Sequence, residues 1–142
     1  MKSMRLSVLR ESGRRVAVVG LGATAVVGLV AGPAQAASWM GSLTNAGPGF
    51  ESRRWYDNNG GSTNINFTNC TSGSSVANVT LRKDLDFQPD PQYTTAAFTN
   101  CFNDYYSTSY GTWGDHGSGY YYFAVNYGGW ADLTVRLVDV YY

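Results

Sequence analysis

The feature that most constrains the fold is a series of short segments in which apolar and polar residues alternate. The segments follow one another at spacings of about ten residues and are separated by Gly, Asn, Asp and Ser, which favour turns. Alternation with a period of two is typical of half-buried β-strands. Six or seven short strands are predicted, within residues 50–56, 62–70, 76–83, 94–102, 104–113, 120–127 and 131–142.

This pattern predicts an all-β fold, a small antiparallel β-sandwich or barrel of about six to seven strands. Residues 84–93 contain Pro89 and Pro91, which cannot donate to a sheet ladder, so this stretch is predicted to be a surface loop. Aromatic residues occupy both faces of residues 120–127, which predicts a central or covered strand.

Residues 1–36 have the organisation of a signal peptide. A basic start precedes an uncharged apolar run over residues 16–31, and small residues precede a predicted cleavage after Ala36. The run is shorter than the roughly 20 residues that a spanning helix needs, so no membrane segment is predicted after cleavage. We therefore expect a secreted, extracellular protein with a flexible N-terminal arm at residues 37–49 and one β-sandwich domain at residues 50–142. The general secretory route is favoured over the twin-arginine route.

Cys70 and Cys101 are the two cysteines of the chain, and both follow the predicted cleavage site. An even count in an oxidising compartment is most simply a disulfide, so a bond between them is predicted. Two cysteines alone make a poor metal site. Neither a metal nor a cofactor is predicted.

The charge of the exported part excludes two classes of partner. The predicted signal holds five of the ten basic residues, which leaves five basic and nine acidic residues and a net charge near −4. Nucleic acids and anionic membranes are bound through basic patches, so neither is predicted as a partner. All 21 aromatic residues lie in this part, more than a small core is expected to absorb, so some rings are candidates for binding.

Residues that carry hydrolytic chemistry are few. His116, the single histidine, lies in a Gly-rich turn beside Asp115, and no Gly-x-Ser-x-Gly motif accompanies it. Asp84, Asp86 and Asp90 lack the deep apolar site of a glycosidase acid and the ligand spacing of a calcium loop. No catalytic residue is predicted, and the chain is predicted not to be an enzyme.

The candidate binding residues combine aromatic or apolar side chains with the one dense charged cluster. A guanidinium stacked on an indole is an effective interface anchor, and alternation places Arg53 on the same strand face as Trp55. Pairing of Arg53 with Glu51 is the open alternative. The predicted partner-binding residues are Trp39, Met40, Leu43, Arg53, Arg54 and Trp55. Further aromatic candidates, for which core packing is the alternative, are Trp113, Trp130, Tyr105, Tyr106 and Tyr110.

Four features together carry a resemblance: Phe-Glu-Ser-Arg-Arg-Trp-Tyr-Asp at residues 50–57, cysteines 31 positions apart, Tyr-Tyr-Tyr-Phe at residues 120–123, and a C-terminal strand rich in Leu and Val. The chain resembles small secreted proteins of filamentous actinobacteria. Within that group it is similar to the adaptor subunits of umbrella toxin particles. The resemblance implies a non-enzymatic adaptor whose N-terminal segment, residues 37–43, enters a cleft in a lectin-bearing, protease-like partner. Its body would engage a repeat-bearing toxin polypeptide.

Three classes of function follow. The first is an interaction module that binds an extracellular protein partner, and the second is a carbohydrate- or cell-wall-binding module. The third is an enzyme or an enzyme inhibitor; for a secreted protease inhibitor, the proline loop at residues 87–93 would be the inserted segment.

Overall fold

The computed structural model describes residues 37–58, 60–126 and 132–142. The predicted signal peptide, the turn residues 127–129 and Trp130 lie outside the described residues. The described part forms nine strands and one short 3-10 helix. These elements are β1 (Ser38–Ala46), β2 (Phe50–Glu51), β3 (Trp55–Asp57), β4 (Thr63–Thr71), β5 (Ala77–Asp84), β6 (Gln92–Phe98), the helix (Asn100–Phe102), β7 (Thr108–Trp113), β8 (Gly119–Asn126) and β9 (Leu133–Tyr141).

The strands form two antiparallel sheets that pack face to face. Sheet A has the order β1-β9-β4-β7, and sheet B has the order β2-β8-β5-β6, with β3 also paired to β8. The predicted all-β sandwich is therefore confirmed. The barrel alternative is not adopted, because the strands divide into two sheets instead of closing into one.

Alternation along the strands separates the core from the outer faces. In β4, Ile65 and Phe67 are completely buried, whereas the neighbouring Asn64 and Asn66 are partly exposed. Phe67 of sheet A contacts Phe123 of sheet B edge-on, with ring centroids 5.5 Å apart. Burial of such a ring stabilises the fold by roughly 2 to 3 kcal/mol, so the interlocked rings hold the two sheets together.

Strand β8 is buried on both faces, as its aromatic residues predict. Phe123 faces the core, while Tyr122 on the opposite face is covered by Arg54, whose guanidinium carbon lies 4.0 Å from the ring centre. The strand pairs with β5 on one side and with β2 and β3 on the other. A central strand with a covered outer face explains why its polar–apolar alternation is absent.

The strand predicted over residues 50–56 is divided into β2 and β3 at Ser52. The Ser52 N–H donates to the Phe123 carbonyl, and the Phe123 N–H donates to the Ser52 hydroxyl oxygen, each at 2.9 Å. A side-chain oxygen thus replaces one backbone acceptor of the ladder. The replacement provides an acceptor for the backbone N–H of Phe123 in β8. It also allows the chain to change direction before β3.

The expected flexible arm at residues 37–49 is instead largely an edge strand. Residues Ser38–Ala46 form β1, which pairs with β9, and Leu43 and Ala46 are buried in the core. The pairing has register shifts on both sides of Leu43, and Asn45 has a positive φ of 49°. These irregularities interrupt the period-two pattern, which is why alternation alone misses the strand. The domain therefore includes β1 rather than starting at Phe50.

The predicted disulfide between Cys70 and Cys101 is confirmed. It joins β4 to the 3-10 helix, and both cysteines are buried. Because the chain turns into this helix, the predicted strand over residues 94–102 ends at Phe98. The strand predicted over residues 104–113 likewise begins only at Thr108. The disulfide is consistent with an extracellular location.

Candidate binding groove

A groove opens where the edge strands of the two sheets meet. On one side lies β1 of sheet A, and on the other lie β2 and the residues that follow it in sheet B. The cavity has a volume of about 230 Å³. Its lining residues are Trp39, Met40, Gly41, Ser42, Leu43, Phe50, Ser52 and Arg53. The groove therefore combines apolar side chains with one cationic group.

Trp39 forms the inner wall of the groove. Its indole is stacked on Phe123, with centroids 6.2 Å apart and planes 9° from parallel, and it contacts Trp55 at 5.9 Å. The Nε1 atoms of Trp39 and Trp55 are both buried and have no hydrogen-bond acceptor among the described residues. A buried donor without an acceptor lowers stability, so this end of the core is not optimised for hydrogen bonding in the isolated chain.

Arg53 covers the indole of Trp39 from the solvent side. Its guanidinium carbon lies 5.4 Å from the ring centre, which is within the range of a cation–π contact. Within the described residues Arg53 has no carboxylate partner, and its side chain is exposed. The pairing with Glu51 that the sequence left open does not occur. Arg53 is therefore available to pair with an anionic group of a binding partner.

Arg54 has a different environment on the outer face of sheet B. It donates to Glu51 at 2.8 Å and to Asp84 at 3.1 Å, and it stacks on Tyr122. Although burial lowers the pKa of Arg54, the hydrogen bonds to Glu51 and Asp84 outweigh it and raise the pKa above its usual value. Arg54 is therefore engaged within the domain and does not belong to the groove.

The same face holds the base of the proline loop. The Tyr122 hydroxyl donates to Asp90 at 2.6 Å, and the Leu85 N–H donates to the same carboxylate at 3.0 Å. These hydrogen bonds, led by that of Tyr122, lower the pKa of Asp90. The loop is thereby fixed at its base, while Phe87 at its tip is fully exposed with a positive φ of 58°.

The predicted binding residues separate into two groups in the structure. Trp39, Met40, Leu43 and Arg53 converge on the groove, in which Met40 is 68 % exposed and Leu43 is buried at the base. Trp55 is only 3 % exposed and supports Trp39 from the core, so it is not an exposed anchor. Phe50 and Ser52 also line the groove, although neither was among the predicted binding residues. No local sequence pattern identifies them, because they line the groove only once β1 approaches from the other sheet.

The remaining candidates lie away from the groove. Trp113 is buried and donates to the Thr94 carbonyl, whereas Tyr105 and Tyr106 are exposed. His116 stacks on Tyr93 with ring centroids 3.5 Å apart. The neighbouring Asp115 carboxylate accepts the Gly117 N–H rather than orienting the histidine. Among the described residues, no group of three His, Cys, Asp or Glu side chains is placed to hold a metal ion.

No family model, curated protein or solved structure matches this chain. In residues 37–58, 60–126 and 132–142 there is no helix with the length and apolarity needed to cross a bilayer.

Proposed function

We propose that this protein is a secreted, non-enzymatic interaction module that binds an extended segment of an extracellular protein at the groove. The observation that carries the proposal is the position of Arg53, an exposed cation without a carboxylate partner in the described structure, above an apolar cavity at the edge of sheet A. A bound segment would contribute an apolar side chain to the cavity and a carboxylate to Arg53.

The edge strand supports this mode of binding. β1 is paired with β9 on one side, and among the described residues no strand pairs with its other side. An extended peptide can add to such an edge through backbone hydrogen bonds, while adjacent pockets read its side chains. The planar guanidinium of Arg53 can bind a carboxylate through two hydrogen bonds, which adds specificity for an acidic residue.

The wider role follows from the resemblance to adaptor subunits of umbrella toxin particles. An adaptor needs a stable body and at least one protein-binding surface, and the groove is a candidate for that surface. Because residues 38–46 are already paired in sheet A, we propose that this region contributes its free edge and its groove to a partner. Insertion of a detached arm would first require β1 to leave β9.

Secretion can be tested separately from binding. The chain is expressed in an actinobacterial host, and the protein in the culture medium is subjected to N-terminal sequencing. A start at Ala37 supports removal of residues 1–36. Retention of the full-length chain with the cells would contradict the proposed export.

Binding is tested with the affinity-tagged, exported protein. Partners that co-purify from the native medium are identified, and their affinity for variants is measured. We expect Arg53→Glu to weaken binding at least tenfold, because a desolvated charge pair at an anchor is replaced by repulsion. Arg136→Glu is the matched control, since Arg136 is also exposed and lies 4.5 Å from a ring centre, that of Tyr105. Equal affinities of the two variants would refute the groove as the binding site.

A second candidate function is inhibition of a secreted protease by the proline loop. The observation that favours it is Phe87, a fully exposed aromatic side chain at the tip of a loop that is fixed by Asp90. A rigid loop of this kind binds with a small loss of conformational entropy. Saturable inhibition of a protease that prefers aromatic residues, lost in Phe87→Ala, would support this role. Absence of inhibition at micromolar concentrations would exclude it for that protease class.

A further inference from the structure

The outer face of sheet A carries a regular arrangement of aromatic and polar side chains that the groove does not use. Cross-strand pairing aligns Tyr110 of β7 with Asn66 of β4, and Asn66 in turn with Asp139 of β9. In the adjacent row, Asn64 of β4 pairs with Tyr141 of β9. All five residues are partly or fully exposed and alternate with buried core positions, so they share the outer face.

The two tyrosines provide separate exposed rings on this face. Tyr110 is 71 % exposed and Tyr141 is 42 % exposed. They lie two strands apart and two residues apart along the strands, which places their Cα atoms roughly 12 Å from each other by standard sheet spacings. A chain of linked rings can span this distance and contact both tyrosines at once, whereas a single sugar-sized ring is too short.

The groups between the tyrosines are hydrogen-bonding and largely unused. The Asn64 carbonyl oxygen accepts the Thr112 hydroxyl at 2.8 Å, which leaves the amide N–H groups of Asn64 as donors. The side chain of Asn66 is partly exposed and makes no hydrogen bond among the described residues, so its amide is accessible to a ligand on this face.

The charge of the face indicates the class of ligand. The two rows contain one carboxylate and no basic residue, and the one basic residue of β9, Arg136, lies outside them and stacks on Tyr105. This charge disfavours phosphates, nucleic acids and other anions as ligands of the two rows. Tyrosine rings pack against apolar ring faces, and Asn and Asp exchange hydrogen bonds with hydroxyl groups. Pyranose sugars present both features, an apolar face of C–H groups and an edge of hydroxyls.

We propose that the outer face of sheet A is a glycan-binding platform for a neutral, extended polysaccharide chain. Tyr110 and Tyr141 stack against two sugar rings of that chain. Asn64 and Asn66, on the strand between them, hydrogen-bond to its hydroxyl groups. The site lies beside the groove, since Met40 pairs with Asp139 in the same row, but it does not use Arg53 and does not depend on the protein-binding function proposed above.

The test measures binding of the exported protein to chitin, cellulose and soluble neutral glucans, by co-sedimentation and by affinity electrophoresis. We expect binding to at least one of these polymers, weakened about tenfold or more in Tyr110→Ala and in Tyr141→Ala. The matched control is Tyr56→Ala combined with Tyr120→Ala, a pair of exposed tyrosines on sheet B whose rings lie 4.8 Å apart. Thermal unfolding checks that every variant is folded.

Two further measurements separate this proposal from its alternatives. Arg53→Glu is expected to leave glycan binding within twofold of wild type, since Arg53 lies at the groove. Asn66→Ala, which removes no aromatic ring, is expected to weaken binding severalfold. The proposal is overturned if the wild type binds none of the polymers. It is also overturned if the sheet B variant loses binding while Tyr110→Ala and Tyr141→Ala retain it.

Discussion

The indole of Trp39 and the ring of Phe123 stack in parallel planes across the interface between the two sheets. Trp39 belongs to the edge strand of sheet A, and Phe123 belongs to the central strand of sheet B. This contact closes the core at the side where the groove opens. It makes β1 part of the hydrophobic core, so that the groove has a rigid inner wall.

The Trp39 stack predicts a clear difference between two adjacent positions. Trp39→Ala removes a partly buried indole and is expected to lower the free energy of unfolding by about 3 kcal/mol. Met40→Ala, at the exposed neighbouring position, is expected to change it by less than about 0.5 kcal/mol. Urea denaturation followed by intrinsic fluorescence measures both values. Similar values for the two variants would show that β1 is not docked as described.

Removal of the disulfide is expected to cause a large loss of stability. On the chain-entropy model, replacing both Cys70 and Cys101 by Ser removes roughly 3 to 4 kcal/mol, because the bond no longer restricts the unfolded chain. The midpoint of urea denaturation is expected to fall accordingly, and titration of the native protein with a thiol reagent is expected to find no free thiol. Replacing both cysteines avoids the unpaired thiol that a single substitution would leave.

The hydrogen bonds of Asp90 predict that the free energy of unfolding of the domain depends on pH. Hydrogen bonds from Tyr122 and from the Leu85 N–H lower the pKa of Asp90 in the folded state. The carboxylate therefore contributes stability that is fully present above its unfolded pKa of about 4 and is lost as the pH falls through the lowered folded value. We expect Asp90→Asn to be less stable than wild type at pH 7, and the difference to shrink as the pH falls below about 4. A constant difference across this range, measured by urea denaturation, would contradict the role of the carboxylate charge.

At Gly111 in β7, the neighbouring aromatic rings leave no room for a side chain. A Cβ atom at this position would lie 2.6 Å from the Trp113 ring and 2.9 Å from the Phe98 ring. Gly111→Ala is therefore expected to destabilise the domain by roughly 1 to 3 kcal/mol through overpacking. Gly114→Ala is the matched control, since its Cβ would meet nothing within 4 Å. The melting temperatures of the two variants are measured by calorimetry. Equal melting temperatures would mean that the Trp113 ring moves aside without a loss of stability.

Local chemistry was sufficient for a substantial part of this fold. Alternation around Ile65 and Phe67, the small polar residues between β4 and β5, and the prolines in the loop after β5 are short-range signals, and each predicted its element in place. The disulfide was predicted from an even number of cysteines together with the predicted export of the chain. These properties depend on residues close together in the sequence or on composition, so they can be read without knowing which strands are neighbours.

Tertiary structure alone decided which strands meet and which surfaces remain open. β1 forms a strand because its backbone pairs with β9 and Trp39 packs on Phe123. Its register shifts interrupt the alternation of polar and apolar residues, so the sequence pattern does not reveal the strand. Arg54, and not Arg53, acquired Glu51 and Asp84 because the interruption at Ser52 reorients the chain between β2 and β3. The groove and the tyrosine face are likewise assembled from strands distant in sequence. The physical reason is that contacts between such strands follow from sheet order and register, which no local periodicity encodes.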